Sequence, residues 1–155
     1  MFKGFRAMAH LLEQLGDERF AVLINSANTG KVKEFCDTLA KDALPTTMTV
    51  GDRIYDILGF LREGEKSVVG HTMVERAKEM SSAHLGQDDG QYLLDNQQDI
   101  PASLRGKVAF VFTDWRRPGD SGRVCYVFWD GDRWVSYWGW LGHGWSDNDR
   151  VLRRK

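Results

Sequence analysis

The sequence has few cysteines and prolines and no long apolar run. Its 155 residues include two cysteines, three prolines and short apolar runs such as residues 20–24 and 108–112. These runs fall far below the roughly 20 residues of a membrane span. Cys36 and Cys125 are too few for a disulfide framework, and each lies in an apolar pattern, which favours buried free thiols in a reducing compartment. The chain is therefore predicted to be cytoplasmic, with no membrane contact.

The sequence also lacks an excess of charge of either sign. Lys and Arg number 21 and Asp and Glu number 22, for a net charge of −1. Such a balance argues against binding a polyanion through bulk charge, so nucleic acid is not an expected partner. The sequence contains no nucleophile elbow, HExxH motif or CxxC pair. No catalytic residue, metal site or cofactor is predicted.

The elements predicted along the chain indicate a single α+β domain over residues 1–155. Residues 1–44 show a helix, a strand and a helix, from the spacing of their apolar residues. Residues 46–100 show a hairpin with Gly51-Asp52 at its turn, followed by two helices. Residues 106–155 show strands only. We expect a Trp-rich antiparallel β-meander over residues 106–155, packed with helices from the N-terminal two thirds.

Start signals locate the two helices of the central region. Thr72 is followed three residues later by Glu75, the spacing of a capping box, and predicts a helix that continues to His84 on one apolar side. Asp88 begins a second capping pattern before a short helix.

All six tryptophans lie within 31 residues of the C-terminal region. They are Trp115, Trp129, Trp134, Trp138, Trp140 and Trp145. Asp130-Gly131 predicts a two-residue hairpin turn that pairs Trp129 with Asp132. In this register one sheet face carries Cys125, Val127, Trp129, Trp134, Ser136, Trp138 and Trp140, and the other carries Val124, Tyr126, Phe128, Val135, Tyr137 and Leu141. Both faces are apolar, so both are expected to need cover.

Two interpretations of the tryptophan face are open. In one, the helices of residues 72–99 cover this face and the N-terminal unit covers the other, which makes a layered core. In the second, part of the face is open and binds a protein partner, a second copy of the chain, or a small aromatic or sugar ligand.

The segment from Trp138 to Trp145 is the first choice for a ligand-facing element. Gly139, Gly142 and Gly144 separate its large rings, so it is expected to leave regular strand geometry. The alternative is a glycine-kinked strand end that places Trp145 in the core. The candidate ligand-binding residues are Trp129, Trp134, Trp138, Trp140, His143, Trp145 and Arg133. If they bind a partner, replacing Trp140 and Trp145 is expected to remove binding and leave the fold intact.

A second candidate site lies between the first predicted strand and its helix. Ser26-Ala-Asn28-Thr-Gly-Lys31-Val-Lys-Glu34-Phe35 combines a small polar loop, a lysine and a helix N-terminus, which suits anion binding. Asn28, Thr29, Lys31 and Glu34 are the candidate anion-binding residues. The alternative is a capped helix with exposed lysines.

The pattern S-x-N-x-x-K-x-x-E-F in this loop resembles the N-terminal signature of the inosine triphosphate pyrophosphatase family. Those enzymes cleave non-standard purine nucleoside triphosphates to monophosphates with magnesium. The resemblance implies that Asn28 and Lys31 hold phosphate and that Glu34 helps to position the metal. It covers about ten residues of the chain, and the Trp-rich end has no counterpart in that family.

The sequence thus predicts, first, a non-enzymatic binding module that uses the aromatic sheet face and the Gly/Trp loop. Its partner is expected to be a protein or a second copy in a homodimer. The alternative is a phosphate- or nucleotide-binding protein, or a magnesium-dependent nucleoside triphosphate pyrophosphatase, that uses the Ser26–Glu34 loop.

Overall fold

A computed structural model describes residues 43–155 as a series of short strands with two α-helices. The strands are β1 (Thr47–Val50), β2 (Arg53–Leu58), β3 (Ser67–Val69), β4 (Ala109–Arg117), β5 (Asp120–Trp129), β6 (Trp134–Trp140), β7 (Gly144–Ser146) and β8 (Asp149–Arg154). The helices are α1 (Gly70–Glu79) and α2 (Gln87–Asp95), and single 3₁₀ turns span Gln97–Asp99 and Ala102–Leu104.

The described residues from Pro45 to Lys155 form one compact unit. The helix, strand and helix predicted in residues 1–44 lie outside the described residues, apart from Ala43 and Leu44. The candidate anion-binding residues Asn28, Thr29, Lys31 and Glu34 also lie outside them. The single domain over residues 1–155 stays a prediction.

Six strands form the main sheet in the order β1-β2-β8-β4-β5-β6, and β3 pairs with β7 in a separate small sheet. Every pairing between described strands is antiparallel except that of β4 with β8. The predicted α+β class with a mainly antiparallel sheet is therefore confirmed.

The predicted meander over residues 106–155 is wrong in its final step. The chain leaves the main sheet after β6 so that β7 can pair with β3. It then returns as β8 between β2 and β4, parallel to β4, with Val151 opposite Val111. A strand that re-enters on the far side of β4 cannot continue the up-and-down order of β4, β5 and β6.

The hairpin turn at Gly51-Asp52 is confirmed. Val50 pairs with Arg53, so the turn has two residues, and Gly51 has a φ of 57°, the left-handed conformation that such turns require.

The register of the β5–β6 hairpin differs from the prediction by two residues. Trp129 pairs with Trp134 rather than with Asp132, so the loop contains four residues. The Asp130 carboxylate stabilises this longer loop by accepting the backbone N–H groups of Asp132 and Arg133, both at 2.9 Å. Because side chains alternate with a period of two, a two-residue shift leaves every side chain on its predicted face.

A second hairpin lies around Pro118. Strands β4 and β5 both extend into that segment, and Arg117 pairs with Asp120. Pro118 fixes its own φ and Gly119 has a φ of 77°, which together suit a tight turn. The pairing register shifts between Phe112 and Arg116, so a bulge absorbs the difference.

The first helix begins and ends earlier than its capping pattern predicts. Helix α1 starts at Gly70, so Thr72 lies inside it rather than at its cap. A Cβ on Gly70 would lie 2.7 Å from the Leu141 Cα, and only glycine permits this approach. The helix ends at Glu79, which places His84 in the following loop. Helix α2 begins at Gln87, one residue before the predicted Asp88.

The two helices cover opposite faces of the main sheet. Met73 of α1 belongs to a buried cluster with Val111. Gly90 of α2 lies so close to the sheet that a Cβ there would be 3.3 Å from the Phe112 ring. Val111 and Phe112 are consecutive strand residues and therefore point to opposite faces. The interpretation in which both helices cover the tryptophan face is wrong, because one lies on each side.

Candidate functional site

The six tryptophans divide into buried and accessible side chains. Trp134 and Trp145 are 2% and 6% exposed, whereas Trp140 is 44% exposed. The other three are half-buried. The tryptophan face is therefore not one open platform.

Trp134 and Trp129 pack within the molecule at one end of this face. The Trp134 ring stacks on Phe110, with centroids 5.4 Å apart, and meets the Trp129 ring edge-on at 5.8 Å. The Arg105 guanidinium lies 4.5 Å from the Trp129 ring centroid and covers it. Trp134 thus presents almost no surface to a ligand. Arg133 is exposed in the adjacent loop.

Trp145 packs on the opposite face of the sheet from Trp138 and Trp140. Its ring meets Tyr126 edge-on at 5.8 Å. A Cβ on Gly139 would lie 2.4 Å from the Trp145 ring, so this ring occupies the space that a side chain at 139 would need. The structure agrees with the alternative interpretation, in which Trp145 lies in the core.

The remaining candidates lie together around an open cleft of about 520 Å³. Trp138, Trp140 and His143, all predicted as ligand-binding, line it. The residues that line it are Arg123, Tyr126, Tyr137, Trp138, Gly139, Trp140 and His143. They converge because Arg123 and Trp140 are cross-strand partners, and Trp138, Gly139 and Trp140 are consecutive residues of the edge strand β6. The cleft thus combines four aromatic rings with the Arg123 guanidinium and the His143 imidazole.

The cleft has a cationic character without a carboxylate among its lining residues. The Arg123 guanidinium lies 5.4 Å from the Trp140 ring centroid, and its Nε lies 3.0 Å from the Asp120 carboxylate outside the cleft. Burial, with the neighbouring Tyr137, raises the pKa of Tyr126, so its phenol is neutral at pH 7 and can donate a hydrogen bond.

Strand β6 is the last strand of the main sheet, and its main-chain groups alternate in direction. Leu141 N–H donates to the Gly122 carbonyl at 2.8 Å, and Asp130 N–H donates to the Arg133 carbonyl at 3.0 Å. Hydrogen-bonded pairs alternate along an antiparallel ladder. The odd-numbered residues of β6 therefore bond to β5, and the even-numbered residues direct their N–H and C=O groups away from the sheet.

Two of these outward groups, one near each end of β6, already have partners. Trp134 N–H donates to the Gln97 side-chain oxygen at 2.9 Å. The Trp140 carbonyl accepts a bond from His143 N–H at 3.2 Å. Within residues 43–155, the outward groups that have no partner are the Trp134 C=O, the N–H and C=O of Ser136 and of Trp138, and the Trp140 N–H.

Strand β6 lacks the features that usually prevent an edge strand from pairing with another chain. Strand β6 runs for seven residues without a proline or a charged side chain. Ser136 is exposed and Tyr137 is 61% exposed, so the edge lies at the surface. Edge strands of monomeric proteins are commonly protected by lysine, proline or a bulge. The β6 edge has none of these and is therefore suited to strand pairing.

A second polar cluster connects the loop after α1 to β4. His84 Nδ1 lies 2.8 Å from the Thr113 hydroxyl, and His84 Nε2 lies 3.3 Å from the Asp114 carboxylate. Burial lowers the pKa of His84, which favours the neutral ring. Thr113 is fully buried, so its hydroxyl has no surface that a substrate could reach. This cluster is a structural link.

A third cluster ties α2 to β2. The buried Asp89 carboxylate accepts hydrogen bonds from Tyr55 at 2.7 Å and from Arg53 at 3.1 Å. Burial raises the pKa of Tyr55. In residues 43–155 no three His, Cys, Asp or Glu side chains are placed to hold a metal ion.

The predicted ligand-binding residues do not include Arg123, Tyr126 and Tyr137, which also line the cleft. The two tyrosines lie on the second sheet face, as predicted, and they reach the cleft because it lies beside the edge strand β6, where residues of both faces line it. The sequence carries no signal for this arrangement, because β6 is the edge strand only when β8 inserts between β2 and β4. Cys125, in contrast, is a buried free thiol as predicted, and burial raises its pKa to about 12.

No protein-family model, curated protein or solved structure matches the chain. Among the described residues, neither helix has the length and apolar character needed to cross a membrane.

Proposed function

We propose that this chain is a protein-binding module that pairs an extended segment of its partner with β6. The observation that carries the proposal is the uncharged edge of β6, with main-chain groups on Ser136 and Trp138 that have no partner among the described residues. An added strand gains affinity from main-chain hydrogen bonds of this kind. This role develops the predicted binding module, with the sheet edge in place of the open sheet face.

The rings beside the edge supply selectivity. Side chains of an added strand alternate between two faces, so half of them meet Tyr137 and half meet Trp138 and Trp140. Tyrosine and tryptophan bury large areas at a small entropy cost and dominate many interfaces. Arg123 and His143 lie at the cleft end of this edge, where they can donate hydrogen bonds to the partner segment. A cytoplasmic location is part of the proposal and is supported by the free thiol of Cys125.

Replacement of Ser136 by proline tests strand pairing directly. Ser136 N–H points away from β5, so Ser136→Pro removes an outward donor without loss of a sheet hydrogen bond, and edge strands tolerate proline there. Ser136→Thr keeps the donor and is the matched control. Random peptides displayed on phage are selected against the full chain at nanomolar concentration. We expect the selected peptides to bind Ser136→Pro at least about tenfold more weakly and Ser136→Thr about equally.

Amide hydrogen exchange supplies a test that needs no variant. A selected peptide is expected to slow exchange at Ser136 and Trp138 of the wild-type chain, because their N–H groups become hydrogen-bonded. Equal binding of the peptides to Ser136→Pro, or unchanged exchange at both residues, would contradict strand pairing at β6. Failure to select any peptide would also count against the proposal.

A further inference from the structure

We infer that the segment paired with β6 is β6 of a second copy, antiparallel about a two-fold axis at Tyr137. This inference rests on the proposed function and names the partner for the same edge. The outward main-chain groups of β6 are self-complementary in one register.

Within residues 43–155, each copy has three outward donors and three outward acceptors without a partner. The donors are the N–H groups of Ser136, Trp138 and Trp140, and the acceptors are the C=O groups of Trp134, Ser136 and Trp138. With Tyr137 opposite Tyr137, Ser136 of each copy faces Trp138 of the other, and Trp140 faces Trp134. Each donor then meets an acceptor, which gives six hydrogen bonds between the copies.

The groups that are already bonded at the ends of β6 fit the same register. Trp134 N–H and the Trp140 C=O are the two groups that would face each other between copies, and each already has a partner within its own chain. A register shifted by two residues in either direction pairs Ser136 or Trp138 with itself and leaves one donor and one acceptor of each copy unmatched. The register centred on Tyr137 leaves none.

Side-chain size and charge agree with this register. Trp138 faces the second copy's Ser136, and Gly139 faces the second copy's Val135, so a large side chain meets a small one in both pairs. Strand β6 carries no charge, so no like charges meet at the two-fold axis. The contact is isologous, the commonest arrangement in homodimers.

The oligomeric state of the full chain tests the partner. In sedimentation velocity from about 1 to 200 µM, we expect the wild-type mass to rise from 17.7 kDa toward twice that value. Ser136→Thr is expected to follow the wild type, and Ser136→Pro is expected to stay monomeric. Dimerisation of Ser136→Pro equal to that of the wild type would overturn the inference.

Cysteine cross-linking tests the register. Residues opposite each other in a non-hydrogen-bonded pair lie about 4.5 Å apart at Cα, within the range of a disulfide. Tyr137→Cys is therefore expected to form an intermolecular disulfide under mild oxidation, assigned to residue 137 by peptide mapping. Val135→Cys is the matched control on the same face, because the two copies of residue 135 would be about 13 Å apart.

The outcomes separate the two proposals. A wild-type chain that stays monomeric but binds selected peptides through β6 overturns the second copy as partner and leaves strand pairing intact. A monomer that also binds no peptide overturns both. Equal cross-linking of Tyr137→Cys and Val135→Cys overturns the register.

Discussion

At the scale of single residues, Trp140 and Trp145 show how the surroundings of a ring decide its role. They lie five positions apart in sequence, yet Trp140 is 44% exposed and Trp145 is 6% exposed. Trp140 follows the regular alternation of β6, whereas Trp145 belongs to β7 and packs over Gly139. The Trp145 ring is part of the core and the Trp140 ring is part of the surface.

Alanine substitutions should separate these two roles. Trp145→Ala removes a buried ring and is expected to lower the free energy of unfolding by about 3–5 kcal/mol. Trp140→Ala is expected to lower it by less than about 1 kcal/mol, because much of its ring already contacts water. Urea denaturation midpoints measure both. Similar losses for the two variants would contradict this assignment, which replaces the expectation that the fold tolerates both substitutions.

At the scale of elements, an ion pair fastens α1 to the loop before β3. The Glu65 carboxylate accepts hydrogen bonds from the Arg76 guanidinium at 2.6 and 2.9 Å and from Arg62 N–H at 2.7 Å. These donors, Arg76 first, lower the pKa of Glu65 to about 2 from an ordinary value of 4.5. The folded state thus favours the ionised carboxylate.

The pH dependence of stability should reveal this pair. A carboxyl whose pKa is lower in the folded state stabilises the fold above its unfolded pKa, and this contribution is lost as the pH falls toward the folded value. Between pH 4.5 and about 2, the wild type is therefore expected to lose more stability than Glu65→Gln. Urea denaturation at pH 5 and pH 2.5 measures the difference. Parallel losses in both proteins would show that Glu65 makes no linked contribution.

Also at this scale, the sequence predicts which residues share a strand face better than it predicts register. Alternation of side chains is local, so the faces of β5 and β6 follow from the pattern alone. The length of the β5–β6 loop is not fixed by the pattern. Asp130-Gly131 suits a two-residue turn, but the Asp130 carboxylate also stabilises a four-residue loop by accepting two backbone hydrogen bonds. The helix start at Gly70 depends on the approach of Leu141, a distant residue. An approach between residues so far apart in sequence cannot be predicted from the local pattern around Gly70.

At the scale of the whole molecule, β8 joins the early and late parts of the described chain. It pairs with β2 on one side and with β4 on the other. The candidate site depends on this order, because insertion of β8 in the interior of the sheet leaves β6 at the edge. A meander with its last strand beside β6 would have covered that edge.

Truncation of a β8 side chain should weaken the entire sheet. Leu152 is 1% exposed, and Leu152→Ala is expected to lower the free energy of unfolding by about 2–5 kcal/mol. Ile54→Ala, at a side chain that is 45% exposed, is the control and is expected to have a much smaller effect. Circular dichroism and tryptophan fluorescence should give one coincident transition. Separate transitions by the two probes would show that β8 does not couple the strands it joins.

The symmetry of the inferred pairing limits the size of the assembly. A head-to-tail contact between different edges could repeat without end and build a fibril, whereas a contact between two identical edges consumes both. The opposite edge, β1, has only four residues, and short edge strands propagate poorly. In the inferred dimer each β6 edge is covered by the other copy, so no free β6 edge is left to extend the assembly.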